Sequence, residues 1–264
     1  MAESGREDFE GDGGPLTLAV ETATETRSVA LARGRRVIAS RSGELREGGA
    51  SRLLADIDEV LKEAGRAARE VELFAAAQGP GSFTGLRTGL ATLLGLAVTL
   101  EKPLAGVPTL HAVAFAAGPS EKIVATIPAG RGEVFAQLLG VSAEGRVVEH
   151  ERPRHVSPAR LASEVARLGG GFKWAGPGLR RHLELLREAA RGAGLSLNED
   201  ARAGVVAGEA WAIAPPPEAL AHAVALLAQA AQREGLPHTA GELRAIYVRP
   251  SDAELNEQWH AQGK

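Results

Sequence analysis

The chain has 264 residues, 44% of them apolar, and a net charge of −3, which is ample for a buried core in one large domain or two small ones. The near-balanced charge and 4% aromatic content argue against a chain that grips nucleic acid unaided, since that needs clustered Lys and Arg and a stacking platform. The absence of cysteine excludes disulfides, thiolate zinc sites and a cysteine nucleophile, and fits a cytoplasmic protein.

Residues 1–14 are acidic and Gly-rich, carry no apolar segment of a signal peptide, and read as a disordered tail. Three short apolar runs, 16–20, 28–32 and 37–42, read as strands of an antiparallel meander. A helix is expected over 51–64, where Leu53, Leu54, Ile57, Val60, Leu61 and Ala64 recur at spacings of three and four and Gly65 supplies a stop. The run 71–77 reads as a buried strand, and 86–100 as an apolar helix. That helix is shorter than the ~18 apolar residues of a membrane span and carries Arg87 and several threonines. A strand at 104–106 and a helix at 109–117 close this half.

The order then recurs. Residues 122–127, 133–139 and 147–150 read as strands, and Ser157 and Pro158 open a helix that runs to 168. A strand at 172–175 and a helix at 178–190 follow. A last helix, 218–234, comes after the prolines at 215–217 and is expected to pack back on the first half. Two β-β-β-α-β-α units imply an α/β protein with the duplicated actin-like fold of sugar kinases and the Hsp70 ATPase. The halves are drawn at 15–117 and 118–215, with a polar tail at 257–264. An ordinary α/β domain with a meander is the alternative.

Between strand 71–77 and the following helix lies GPGSFTGLRTG, residues 79–89. A Gly-rich loop opening a helix presents bare backbone N–H groups, a common anion-binding arrangement. No register supplies the Lys of a P-loop. The dinucleotide spacing begins with Gly79 and Gly81 but meets Thr84 where the third Gly belongs, with Gly85 one place late. Two readings stay open: a phosphate cradle, or a tight structural loop formed by Gly79, Gly81, Ser82, Thr84 and Gly85, with Ser82 or Thr84 capping the helix.

A phosphotransferase of this fold would need a carboxylate for magnesium on the first hairpin. Glu21 is the candidate there, and an actin-fold small-molecule phosphotransferase using Glu21 is the alternative function. The second hairpin, PAGRGE (128–133), has no Asp, and Arg131 stands where a metal is expected; Glu133 reads as an exposed strand residue. The seven histidines include no pair at the helical zinc spacing, and His150 and His155 read as solvated surface. No nucleophile elbow is present. No catalytic or metal-binding set emerges. The helix after the loop carries Thr88, Thr92, Gly95 and Thr99 on a small-residue stripe opposite its leucines. Such a helix can pack on both sides, inside a monomer or against a partner.

The segments LAVETATETRSVAL, ASRLLADIDEVLKEAG, GPGSFTGLRTGLATLLGLAV, PLAGVPTL, RGEVFA and YVRPSDAELN run in the order of the TsaB (YeaZ) family, and the chain resembles it over about residues 15–256. The resemblance implies a non-catalytic subunit of the bacterial machinery that makes threonylcarbamoyladenosine at position 37 of tRNA. It implies a TsaD partner, which transfers the threonylcarbamoyl group from its adenylate to N6 of adenosine. It also implies the TsaE ATPase as a third component, and a possible homodimer through the same first-half helices. On this reading Leu53, Leu54, Ile57, Leu61, Arg87, Thr88, Thr92 and Gly95 are the candidate interface residues. The resemblance further implies no cofactor of the subunit's own, with ATP and a metal expected on its partners, tRNA met only through the complex, and no membrane involved. The metal-binding H-x-x-x-H of the catalytic relative falls on Thr109 and Val113, neither an imidazole, with His111 between them as a packing or surface residue. Glu21 stands where the family commonly has Asp, Pro128 and Gly130 depart from DARRGEV, and Gly49 or Ala50 replaces a common His. Those departures weaken any residual nucleotide or metal site. A self-sufficient peptidase is a third reading that no residue set supports.

Overall fold

All six residues of β1 (Leu16–Glu21) are buried, as a strand covered on both faces requires. The computed structural model describes residues 13–45, 49–199, 210–235 and 243–248. The tail expected at 1–14 lies outside the described residues except for Gly13 and Gly14, and the tail at 257–264 lies wholly outside them.

β1 pairs antiparallel with β2 (Thr26–Arg33), which pairs antiparallel with β3 (Arg36–Glu44). On the other side of β1 run β4 (Leu73–Gly79) and β5 (Leu104–Pro108), both parallel. The resulting order is β3-β2-β1-β4-β5. β3 is the edge, and most of its residues reach solvent. α1 (Gly49–Glu63) and α2 (Phe83–Thr99) pack side by side over one face of this sheet. The core between them holds Leu18, Val20, Val29, Leu53, Ile57, Val60, Phe74 and Leu93.

The second sheet repeats the plan. β6 (Ser120–Gly130), β7 (Glu133–Val141) and β8 (Val147–Glu149) form the meander. α4 (Pro158–Leu168), β10 (Phe172–Ala175) and α5 (Leu183–Gly192) follow. β10 lies parallel to β6 and to β12 (Ala210–Ile213). The order β8-β7-β6-β10-β12 therefore matches β3-β2-β1-β4-β5 strand for strand. Two short strands are additions that sequence patterning had not marked. β9 (Arg154–Val156) pairs with β7, and β11 (Ser196–Asn198) extends the sheet beyond β12. β12 itself was also unforeseen. Trp174 and Trp211 meet edge to face, 5.0 Å apart, in the core under α4 and α5.

α3 (Thr109–Ala116) and α6 (Leu220–Arg233) contact each other, and α6 lies on β1, β2, β4 and β5. Alanines dominate here: Ala221, Ala225 and Ala228 are fully buried, and Ala112 and Ala114 face them in the same core cluster. Small residues let the two helices sit close to the sheets, which joins the halves through one apolar layer.

Candidate functional site

The glycine loop is a packing seat. Ser82 caps α2, its hydroxyl accepting from Gly85 N–H at 3.2 Å, and its own N–H donates to the Ala23 carbonyl at 2.7 Å. A Cβ at Gly85 would overlap the Thr22 carbonyl oxygen, one at Gly89 would overlap Thr22 Oγ1, and one at Gly81 would overlap the Ala23 carbonyl. Gly79, at φ 111°, faces the Ile246 carbonyl, 2.5 Å from where its Cβ would be. The β1–β2 turn and residue 246 thus pack directly against the loop, whose residues 80–83 also line the cleft between the sheets. Of the two candidate caps, Ser82 serves; Thr84 is exposed.

Glu21 is fully buried beneath the same turn. Its carboxylate accepts from Ala23 N–H at 2.5 Å, Thr24 N–H at 2.8 Å and Thr24 Oγ1 at 2.7 Å. Burial pushes its pKa up to about 7, against the downward pull of those three hydrogen bonds. Both oxygens serve the hairpin that carries them, so the residue does not fit the metal of a phosphotransferase. On the opposite hairpin Arg131 sits at the tip with φ 53°, flanked by Gly130 and Gly132 at positive φ. Glu133 is not a plain exposed residue: its carboxylate lies 2.8 Å from His155 Nε2. Among the described residues no three His, Cys, Asp or Glu cluster as metal ligands would.

Thr109 and Val113 are buried, and Thr109 Oγ1 accepts from Gly79 N–H at 3.2 Å, so it holds the glycine loop. His111 turns outward to Glu149, 2.9 Å away, and burial lowers its pKa despite that partner. Between the two sheets lies a cleft of about 930 Å³. Arg181 Nη2 crosses it to both oxygens of Glu25, at 2.9 and 2.7 Å.

The helical faces correct part of the sequence reading. Leu53, Ile57 and Leu61 were expected at a partner surface; all three are buried in this chain's own core. An amphipathic helix turns its widest apolar face to its own sheet. Leu54 is 51% exposed. α1 is fixed by Asp56, which takes Arg27 Nε at 2.7 Å and Arg52 Nη2 at 2.8 Å. On α2, Arg87 is exposed with its guanidinium 3.7 Å from the centre of the Phe83 ring. Thr88 and Thr92 are half-buried, whereas Gly95 is exposed with nothing within 4 Å of a built Cβ.

The outermost line of α2 is Thr84, Arg87, Ala91, Gly95 and Val98, and Val98 is 60% exposed. Ala91 and Val98 are exposed on this line and were not among the expected residues. At ~100° per residue, Ala91 and Gly95 stand nearly opposite buried Leu93, while Thr92 is only a quarter-turn away. Measuring from the leucine face, rather than from the small residues, locates the line.

Two sheets of matching order, facing each other across a cleft with helices between and outside, define a protein of the actin-like class. The ROK hexokinase of Thermus thermophilus shares this fold with a TM-score of 0.51 at 14% identity, over 82% of this chain and 99% of that one. YeaZ from Pseudomonas aeruginosa superposes with a TM-score of 0.68 at 26% identity, over 88% and 99% of the respective chains. A family profile described as "TsaD: tRNA N6-adenosine threonylcarbamoyltransferase" matches residues 49–163. The tRNA threonylcarbamoyladenosine biosynthesis protein TsaB of Escherichia coli is 31% identical over 175 residues, 65% of this chain and 75% of that protein. The chain belongs to the TsaB (YeaZ) family.

Proposed function

We propose that this chain is a non-catalytic subunit of the complex that installs threonylcarbamoyladenosine at position 37 of tRNA. Its role is to bind the transferase TsaD through the outer faces of α1 and α2 and hold it in a competent conformation, in the cytoplasm. The same surface serves a homodimer when the partner is absent. TsaE joins the assembly; ATP and metal belong to the partners, and tRNA is met only through the complex. One observation carries the reading. The hairpin carboxylate, Glu21, is fully buried and engaged by its own turn, while the outward line through Ala91, Gly95 and Val98 stands open. A face of small and apolar residues without charge at its centre suits a helix-to-helix protein interface. An actin-fold phosphotransferase would require the opposite arrangement, a free carboxylate and an open loop.

The test is co-purification with the host's TsaD, followed by transfer from threonylcarbamoyl-adenylate to tRNA with and without this subunit. The expected result is a stable complex, no transfer by the chain alone, and a marked fall in transfer when it is withheld. Robust transfer by the isolated chain would overturn the proposal.

A further inference from the structure

The segment 243–248, the last described, lies across the ends of β4 and β5 and reaches α2. Ile246 N–H donates to the Gln78 carbonyl at 2.6 Å, and its own carbonyl faces Gly79. Leu243 packs on the core under α1 and α2, over Gly106, while Val248 packs on the core between the sheets. Tyr247 lies between these anchors. Its ring centre is 5.1 Å from that of Phe83, the first residue of α2, and Arg87 stacks on Phe83 at 3.7 Å.

We infer that Tyr247 is a positioning residue for α2: by holding Phe83 it fixes the first turn of the helix and thereby the pose in which α2 meets a partner. The inference rests on the partner face proposed above. The physical reason is the seating of α2. Leu86, Leu93 and Ala97 bury the inner side of α2 in the core, but Gly85 and Gly89 give it no side chains that interlock with the hairpin, so the pose of its first turn also depends on what holds Phe83. Phe83 is the one aromatic ring of that first turn, and it is the ring the segment holds. Tyr247 itself is 48% exposed, so its removal leaves no cavity in the core.

The experiment uses the full chain with purified TsaD and three variants: Tyr247→Ala, Tyr247→Phe and Gly95→Leu. Hydrogen exchange is read at the amides of residues 83–87, and affinity for TsaD is read by titration. Tyr247→Ala is expected to speed exchange there and to weaken association by roughly three- to tenfold, the range an aromatic pair contributes. Tyr247→Phe is expected to restore both, because the ring and not the hydroxyl makes the contact. Gly95→Leu is expected to weaken association more than tenfold with exchange at 83–87 unchanged. Unchanged exchange in Tyr247→Ala, or unchanged affinity while Gly95→Leu binds weakly, overturns the positioning role. Normal binding by Gly95→Leu overturns the partner face itself.

Discussion

The carbonyl oxygen of Thr22 occupies the space that a side chain at Gly85 would need. One turn later Thr22 Oγ1 does the same at Gly89, so one residue of the β1–β2 hairpin meets α2 with its backbone at Gly85 and its side chain at Gly89. Gly95, two turns further on, faces open space. Three glycines of one helix therefore respond differently to the same change. Gly85→Ala is expected to destabilise the fold by about 1–3 kcal/mol or more, through overpacking against a backbone carbonyl that cannot yield cheaply, and Gly89→Ala by less, since the Thr22 hydroxyl can turn away. Gly95→Ala is expected to stabilise it by about 0.5–1 kcal/mol, the ordinary cost of Gly in a helix interior. Urea denaturation of the three variants checks this; a uniform response would show that the hairpin does not seat the helix.

Glu21 makes stability depend on pH in an unusual direction. Its pKa is about 7 in the folded chain against the usual 4.5. Between those values the folded state keeps a proton that the unfolded state has released. Stability from this group is fully present below pH 4.5 and is lost as pH rises through about 7, by roughly 3 kcal/mol. The neutral acid can donate from Oε2 to Thr24 Oγ1, whose hydroxyl then turns to the Thr26 carbonyl at 3.1 Å. Gln reproduces that donor. Glu21→Gln is therefore expected to match the wild type at pH 5 and to exceed it at pH 8, and parallel denaturation curves across that range would refute the shift.

The ion pair between Arg27 and Asp56 is buried and ties α1 to β2, beside the apolar face that packs on the sheet. Asp56→Ala leaves the Arg27 guanidinium without its carboxylate in the interior, and is expected to cost about 3–5 kcal/mol. Arg52, which is 43% exposed, contacts the other oxygen; Arg52→Ala should cost less than about 1 kcal/mol and lose even that in high salt. Equal losses for the two variants would mean that Asp56 is held by its solvent-side partner rather than by the sheet.

Much of this arrangement was legible in the residues. The Ser157–Pro158 start set α4 at its observed bounds, and FKWA set β10. The recurrence of strands and helices implied two equivalent sheets, and Ser82 was one of the two caps expected for the helix after the glycine loop. The missing pieces have physical causes. β9 and β11 are three residues each, too short to show a period, and their pairing is supplied by β7 and β12. Leu53, Ile57 and Leu61 were expected at a partner surface and lie in the core because periodicity reveals an apolar face without saying what it meets. On α1 that face went to the sheet. α2 is apolar nearly all round, so its outward line became visible only with burial.

Leu54 and Gly95 mark the two helices where the proposed partner would rest. Leu54→Glu puts a charge on an exposed apolar position, and Gly95→Leu adds bulk to a flat one. Neither side chain enters the core, so both variants are expected to unfold within about 1 kcal/mol of the wild type. Their effect should fall on association. A charge buried without a partner, or a leucine wedged between helices, typically weakens an interface by ~2 kcal/mol or more, over tenfold in affinity. Transfer to tRNA in the reconstituted system should fall with complex formation and recover at high subunit concentration, since only binding is impaired. Transfer that stays low at saturation would place these residues in the activation of the partner rather than in docking. Unimpaired binding by both variants would move the interface to another face of the molecule.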